Sequence, residues 1–236
     1  MIAALDHLVV SGSAGTYETL LGRRAVDGRL RTGNVGLCFD RDGAGLRSMV
    51  FATPDLDKAA TLLERRAVAP TRSDVGLALL GHGVAIGVVA KADDAPSPLT
   101  ADAASAVSGL DHVVVRTPNP ERAIAFYAGR LGLDLRLDRS NPKWGARLLF
   151  FRCGDLVVEI AHDLKKGVSD EPDHLWELSW RVPDIAAARV RLRAAGLDVS
   201  EPRDGRRPGS QVCTVKDGTE GVPTILIGGV ERWQGG

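Results

Sequence analysis

The sequence has 236 residues, enough for one large domain or two small ones. Its 30 basic and 30 acidic residues cancel, which argues against a general nucleic-acid binder, and 44% apolar with 25% charged residues argues against a disordered chain. The longest uncharged apolar stretch, Val75 to Ala90, is short for a membrane span and holds four glycines. The start, MIAALDHLVV, has no basic segment before its apolar run, so no signal peptide is expected. Cys38, Cys153 and Cys213 are odd in number and far apart, which fits buried thiols in a reduced, cytoplasmic protein.

Taken in chain order, the sequence repeats itself. Ala4-Leu5-Asp6-His7-Leu8-Val9-Val10 matches Gly109-Leu110-Asp111-His112-Val113-Val114-Val115, and Ala52-Thr53-Pro54-Asp55-Leu56 matches Arg181-Val182-Pro183-Asp184-Ile185. The first module is the weakest, with a strand and a short helix near Thr16–Leu21. In the second, Asp55 caps a helix whose stripe is Leu56, Ala59 and Leu63. Gly81-His82-Gly83 reads as a hairpin turn, because strand-like residues rather than a helix follow it; no nucleotide cofactor is expected. Residues 91–108 are poor in large apolar side chains and read as a linker.

The third module opens with the strand Leu110–Arg116. Asn119 caps its helix, Pro120 takes the first position, Ile124, Tyr127 and Leu131 are the stripe, and Gly132 is the stop. Strands are predicted at Leu133–Asp138, Ala146–Arg152 and Asp155–Ala161. The fourth module has the strand Leu175–Val182, the cap Asp184, the stripe Ile185, Ala188, Leu192 and Ala195, the stop Gly196, and strands at Val199–Pro202, Gln211–Lys216 and Val222–Gly228. The fold class is α+β. Four βαβββ-type modules make two pairs, residues 1–90 and 109–236, each pair forming a curved mixed-sheet cup with helices on its outer face.

Strand alternation sorts the residues by face. His112, Val114 and Arg116 share one face of their strand, Glu159 lies opposite Leu156, Val158 and Ile160, and Glu177, Ser179 and Arg181 lie opposite Trp176, Leu178, Trp180 and Val182. The bulky faces should pack under helices and the polar faces should line the cup. Two loops add candidates. Arg203, Arg206 and Arg207, among glycines and prolines, suit a carboxylate or phosphate ligand or else a solvated loop. Trp144, in Asn141–Gly145, covers a ligand or simply packs. Eight of the eleven aromatics fall in residues 109–236: Phe126, Tyr127, Trp144, Phe150, Phe151, Trp176, Trp180 and Trp233.

Leu110-Asp111-His112-Val113-Val114-Val115, Ala123-Ile124-Ala125-Phe126-Tyr127 with Leu131-Gly132-Leu133, and Leu156-Val157-Val158-Glu159-Ile160 resemble the vicinal oxygen chelate superfamily of glyoxalases, bleomycin-resistance proteins, epimerases and extradiol dioxygenases. The resemblance covers residues 109–236 well and 1–90 loosely. It implies metal ligands on the first and last strands of a module pair. Here these are His112, Glu159 and Glu177, with Ile225 where relatives have Glu. One imidazole and two carboxylates suit Fe, Mn, Ni, Co or Zn as a divalent ion. Glu159 or Glu177, displaced from the metal, would move a proton as the catalytic carboxylate. In the first half, the matching positions fall near Gly36 and Ser48, so His7 lacks such ligands there and that half reads as degenerate.

Two functions stay open at this point. One is a metal-dependent lyase, isomerase or dioxygenase for a small oxygenated substrate, with Arg116, Ser179, Arg181, Trp144, Arg203, Arg206 and Arg207 as binding residues. The other is a metal-free small-molecule binding protein of the bleomycin-resistance type, which Ile225 favours. The same polar residues also read as purely structural, with Glu177 paired to Arg181 and His112 bonded to backbone. No nucleic acid or membrane partner is expected, and both a monomer and a homodimer fit.

Overall fold

A computed structural model describes residues 2–92 and 94–230, so Trp233 lies outside the described residues. The first sheet contains β1 (Ala4–Ser11), β2 (Arg29–Arg31), β3 (Gly36–Asp40), β4 (Leu46–Thr53), β5 (Thr71–Ser73), β6 (Gly76–Gly81) and β7 (Val84–Ala90). Its helices are α1 (Ala14–Leu21) and α2 (Leu56–Arg65). The second sheet contains β8 (Gly109–Arg116), β9 (Asp134–Asn141), β10 (Ala146–Cys153), β11 (Leu156–Asp163), β12 (His174–Arg181), β13 (Arg203–Asp204), β14 (Gln211–Val215) and β15 (Thr224–Gly228). Its helices are α3 (Pro120–Ile124), continued as a π-helical turn over Ala125–Arg130, and α4 (Ile185–Ala194).

The strand orders are β2-β3-β1-β4-β7-β6-β5 and β13-β14-β15-β12-β8-β11-β10-β9. A helix carries the chain away from each first strand, and hairpins bring it back, so that the last strand of a module lies beside its first. The pairs β1–β3, β4–β7 and β12–β15 are parallel, while the hairpins are antiparallel, which makes both sheets mixed.

The caps follow from short-range chemistry. Asp55, Asn119 and Asp184 each accept a backbone N–H three residues on, and Gly196 leaves α4 with φ +90°. Asp184→Ala should therefore lower stability by about 1 kcal/mol in urea unfolding with an unchanged m-value.

Four expectations need correction. The first module has two strands after its helix instead of three. Val199–Pro202 is no strand: Val199 makes an isolated bridge to Val215, and the two-residue β13 comes later, because Pro202 cannot donate to a ladder. Ala195 is exposed rather than part of the α4 stripe. The third-module helix widens to a π turn, with Leu131 N–H donating to Phe126 O at 2.9 Å, and buries Ala123, Phe126, Tyr127 and Leu131 while Ile124 stays half-buried.

By internal packing the chain forms two units, and each takes one module from either sheet. One comprises Met1–Asp6, Arg47–Asp93 and Val113–Trp176. Here Phe126 lies edge-on to His82 at 5.4 Å, over Gly81, where any Cβ would stand 2.5 Å from the ring. Asp173 N–H donates to His82 O at 2.7 Å, and Arg66 donates to Arg130 O at 3.0 Å. His82 has φ +51° in the turn between β6 and β7, the hairpin expected there.

The other unit comprises His7–Leu46, Asp94–His112 and Glu177–Gly236. Tyr17 is buried and donates to Thr219 O at 3.1 Å, and Arg191 of α4 donates to the Thr19 and Leu20 carbonyls at the end of α1. The segment read as a linker is bonded into this unit. Arg23, itself buried, donates to Ser97 O at 2.8 Å and twice to Val107 O, and Val107 N–H donates to Leu21 O at 3.0 Å.

Cys153 and Cys213 are buried and Cys38 is half-buried, and none forms a disulfide. Burial, with Asp155 adding to it, pushes the Cys153 thiol up to about 12. No helix among the described residues is long and apolar enough to cross a membrane.

Candidate functional site

The register of the fourth module settles which candidates share a face. Ser179 is the parallel partner of Ile225, Arg181 of Ile227, Ile225 pairs with Thr214, Ile227 with Val212, and Val212 with Arg203. Glu177, two residues before Ser179, is on this face as well. Glu177, Ser179, Arg181, Thr214, Ile225 and Arg203 therefore line one side of the sheet. Ile225 stands directly beside Ser179, on the face the resemblance assigns to the fourth ligand.

These residues are not an open polar surface. Ser179 and Arg181 are buried, at 1% and 6% exposure, and Glu177 is half-buried. Arg181 Nε and Nη2 donate to Leu110 O at 3.1 and 2.5 Å, and the same carbonyl accepts Asn34 Nδ2 at 2.8 Å. Arg181 thus ties β12 to β8. The Ser179 hydroxyl is buried with no hydrogen-bond partner. Arg203 donates to Thr214 Oγ1 at 3.3 Å, and Arg206 is exposed.

The centre of this region is a residue that sequence reasoning did not single out. Asp111, at 5% exposure, has Oδ2 at 2.8 Å from His112 Nδ1 and accepts a hydrogen bond from Arg207 Nη2 on the same oxygen. Arg181 Nε stands 3.9 Å from its Oδ1. Burial alone would raise the Asp111 carboxyl, but the hydrogen bond and charge of His112, followed by those of Arg207, outweigh it and hold the group below the usual carboxylate range. The signal was in the sequence, because Asp precedes His in both copies of the repeat. Strict alternation put the two side chains on opposite faces and hid it.

The remaining candidates belong to the other unit. Glu159 is buried at 8% exposure on β11, where its register partners are Phe150 and, one strand on, Leu137. Arg116 stacks its guanidinium 3.5 Å over the Trp176 ring, and His174 meets the same ring edge-on. Trp176 is therefore half-buried under an arginine rather than packed beneath a helix, unlike Trp180 and Leu178, which are fully buried. Trp144 is 44% exposed at the tip of the β9–β10 hairpin, with Arg139 5.2 Å over its ring. In the first half, His7 pairs in register with Gly36, and Ser48 with Ala85, so no carboxylate occupies those positions. Among the described residues, no three His, Cys, Asp or Glu side chains already stand together as a metal-holding group.

A family model described as the Glyoxalase/Bleomycin resistance protein/Dioxygenase superfamily matches residues 111–214, which span β8 to β14. Over these residues the chain is similar to that superfamily. Among curated relatives, it is 28% identical over 109 residues to an ethylmalonyl-CoA/methylmalonyl-CoA epimerase of Cereibacter sphaeroides, covering 42% of this chain and 81% of that one. It is 25% identical over 122 residues to a lactoylglutathione lyase of Salmonella typhimurium, covering 50% of this chain and 90% of that one. Among solved structures, BphC, a halotolerant catechol dioxygenase, matches 99% of this chain and 89% of its own with a TM-score of 0.74. At 13% identity that likeness concerns the fold alone. It includes the first half, which the family model does not reach.

Proposed function

We propose that this chain is an enzyme that moves a proton beside a carbonyl group of a small oxygenated substrate, in the manner of a lyase or an isomerase. The observation that carries this reading is the Ser179 hydroxyl, which is buried and without a partner on the face that also holds Glu177 and Ile225. Leaving a buried hydroxyl unsatisfied costs about 1–3 kcal/mol, which a bound carbonyl or hydroxyl oxygen would relieve. Two curated relatives supply the reaction class. One is named an epimerase and the other a lyase, and both names refer to acyl thioesters. Thioesters are therefore the first substrates to try. Dioxygenation fits less well, because the resemblance calls there for two His and one Glu, and positions 177 and 225 supply Glu and Ile.

The imidazole of His112 and the carboxylate of Glu177, which lie in one unit, suit a divalent ion of the Fe, Mn, Ni, Co or Zn kind, which we assign to them. When bound, such an ion polarises a carbonyl and stabilises the negative charge that builds on its oxygen. Glu177 takes and returns the proton, and Ser179 orients the substrate oxygen. Arg203 and Arg206 meet a substrate carboxylate or phosphate at the edge of the face. Arg181 acts mainly by holding Leu110 and the strand that carries His112. Ile225 favours the second reading, a metal-free binding protein, because it takes a carboxylate away from the donor face.

Elemental analysis of protein purified without added metal separates the two. The enzyme reading expects roughly one equivalent of metal, a rise in Tm on adding Ni(II), Mn(II) or Fe(II), and loss of both in His112→Ala. Less than about a tenth of an equivalent with no thermal shift would sink it in favour of the binding protein.

A further inference from the structure

We propose that Asp111 is a positioning residue that locks His112 in the tautomer with the proton on Nδ1, and that Arg207 is the tether that holds Asp111 in that task. The inference deepens the reading of His112 as a metal ligand and rests on it for its purpose, though its geometry stands by itself. A guanidinium only donates hydrogen bonds. Arg207 Nη2 donates to Asp111 Oδ2, so that oxygen is an acceptor and carries no proton. His112 Nδ1 lies 2.8 Å from the same oxygen, and two groups in contact with one acceptor must both donate. In the neutral ring the proton is then on Nδ1 and the lone pair is on Nε2. A ring nitrogen that ligates an ion needs that lone pair, and a carboxylate on the opposite nitrogen is the arrangement that fixes a ligating imidazole.

Two features argue that the arrangement serves the ring rather than the fold. Asp111 sits between Leu110 and Val113, both fully buried, where an apolar side chain would pack without the cost of desolvating a charge. Arg207, in turn, is presented by a turn closed on itself. Gly205 N–H donates to Ser210 O at 2.8 Å, and the Ser210 N–H and hydroxyl both donate to Arg207 O, at 3.0 and 2.7 Å. This turn spans 96 residues of sequence to reach Asp111. Arg181, 3.9 Å from Oδ1, adds positive charge on the other side of the carboxylate.

The test reads the tautomer directly, on metal-free protein labelled with nitrogen-15 in histidine, with His112→Gln to assign the ring. In its neutral form, wild-type His112 is expected to carry the proton on Nδ1 and none on Nε2. Asp111→Asn is expected to move the ring toward the Nε2–H form and to weaken Mn(II) or Ni(II) binding about 10–100-fold. Arg207→Met, on the exposed turn, is expected to shift part of the population while leaving the circular dichroism spectrum unchanged. A wild-type ring bare at Nδ1 overturns the proposal without any variant, so it stays testable even if Asp111→Asn does not fold. An unchanged tautomer in Asp111→Asn overturns it as well, and an unchanged one in Arg207→Met removes the tether. If the tautomer behaves as expected and no metal binds, the positioning role stands and the metal reading alone falls.

Discussion

Asp173→Ala is expected to destabilise the chain by about 3–5 kcal/mol, the cost of leaving a buried cation without its partner. The Asp173 side chain is fully buried. Its Oδ1 accepts Thr117 Oγ1 and Arg122 Nη2, both at 2.7 Å, and its backbone N–H is the one that reaches His82 in the hairpin of the second module. Thr117 also carries the turn into α3, since its hydroxyl oxygen accepts Asn119 N–H at 3.1 Å. Truncation to Ala takes the carboxylate from Arg122, whose side chain is only 17% exposed and keeps the Glu171 carbonyl at 2.6 Å, and removes the acceptor that braces Thr117 at the strand-to-helix turn. Burial, and then the charge of Asp173, keep the neighbouring Tyr127 phenol above its ordinary pKa, which places that hydroxyl in the same low-dielectric surroundings. Urea unfolding of Asp173→Ala gives the single cost. The double variant Asp173→Leu with Arg122→Met should recover much of it, because removing both charges also removes their desolvation. A single-variant cost below about 1 kcal/mol would show that the pair is worth no more than a surface bridge.

Glu177→Gln should lower turnover of an accepted thioester by about two to four orders of magnitude while the fold persists. The substitution keeps the shape of the side chain and removes its capacity to carry a proton. Glu177 is half-buried, so the amide has solvent access and adds no unsatisfied group. Deuterium uptake from D2O at the carbon beside the carbonyl, followed by proton NMR, reports the step itself. Metal content measured on the same samples separates loss of the proton carrier from loss of the ion. Full exchange in Glu177→Gln would take the role away from Glu177.

The elements that sequence patterns revealed are those set by near neighbours. Asp55, Asn119 with Pro120, and Asp184 mark helix starts because a cap needs only three residues of context. Alternation placed Glu177, Ser179 and Arg181 on one face, and the register of β12 with β15 agrees with it. What stayed hidden was long-range or irregular. The π turn closes Leu131 N–H on Phe126 O, five residues back, a bond that a 3.6-residue pattern does not announce. Arg181 looked like a ligand-binding arginine because nothing nearby in the sequence shows Leu110 O waiting for it. Arg207 looked like a loop arginine because Asp111 is distant in the chain. The aromatic enrichment of the later half was visible, yet only the fold distinguishes Trp180, sealed in the core, from Trp176 under its arginine.

The cross-pairing of modules has a consequence for the chain as a single polypeptide. Severing residues 91–108 would not release two self-sufficient halves. Arg191 would lose the Thr19 and Leu20 carbonyls, Phe126 would lose Gly81 and His82, and Arg23 would lose Val107. Each fragment would expose helix surface of the kind that subunits bury, and would have to find its counterpart or a second copy of itself at whatever concentration it was made. Continuity of the backbone makes that search intramolecular, so that assembly becomes part of folding and is independent of dilution.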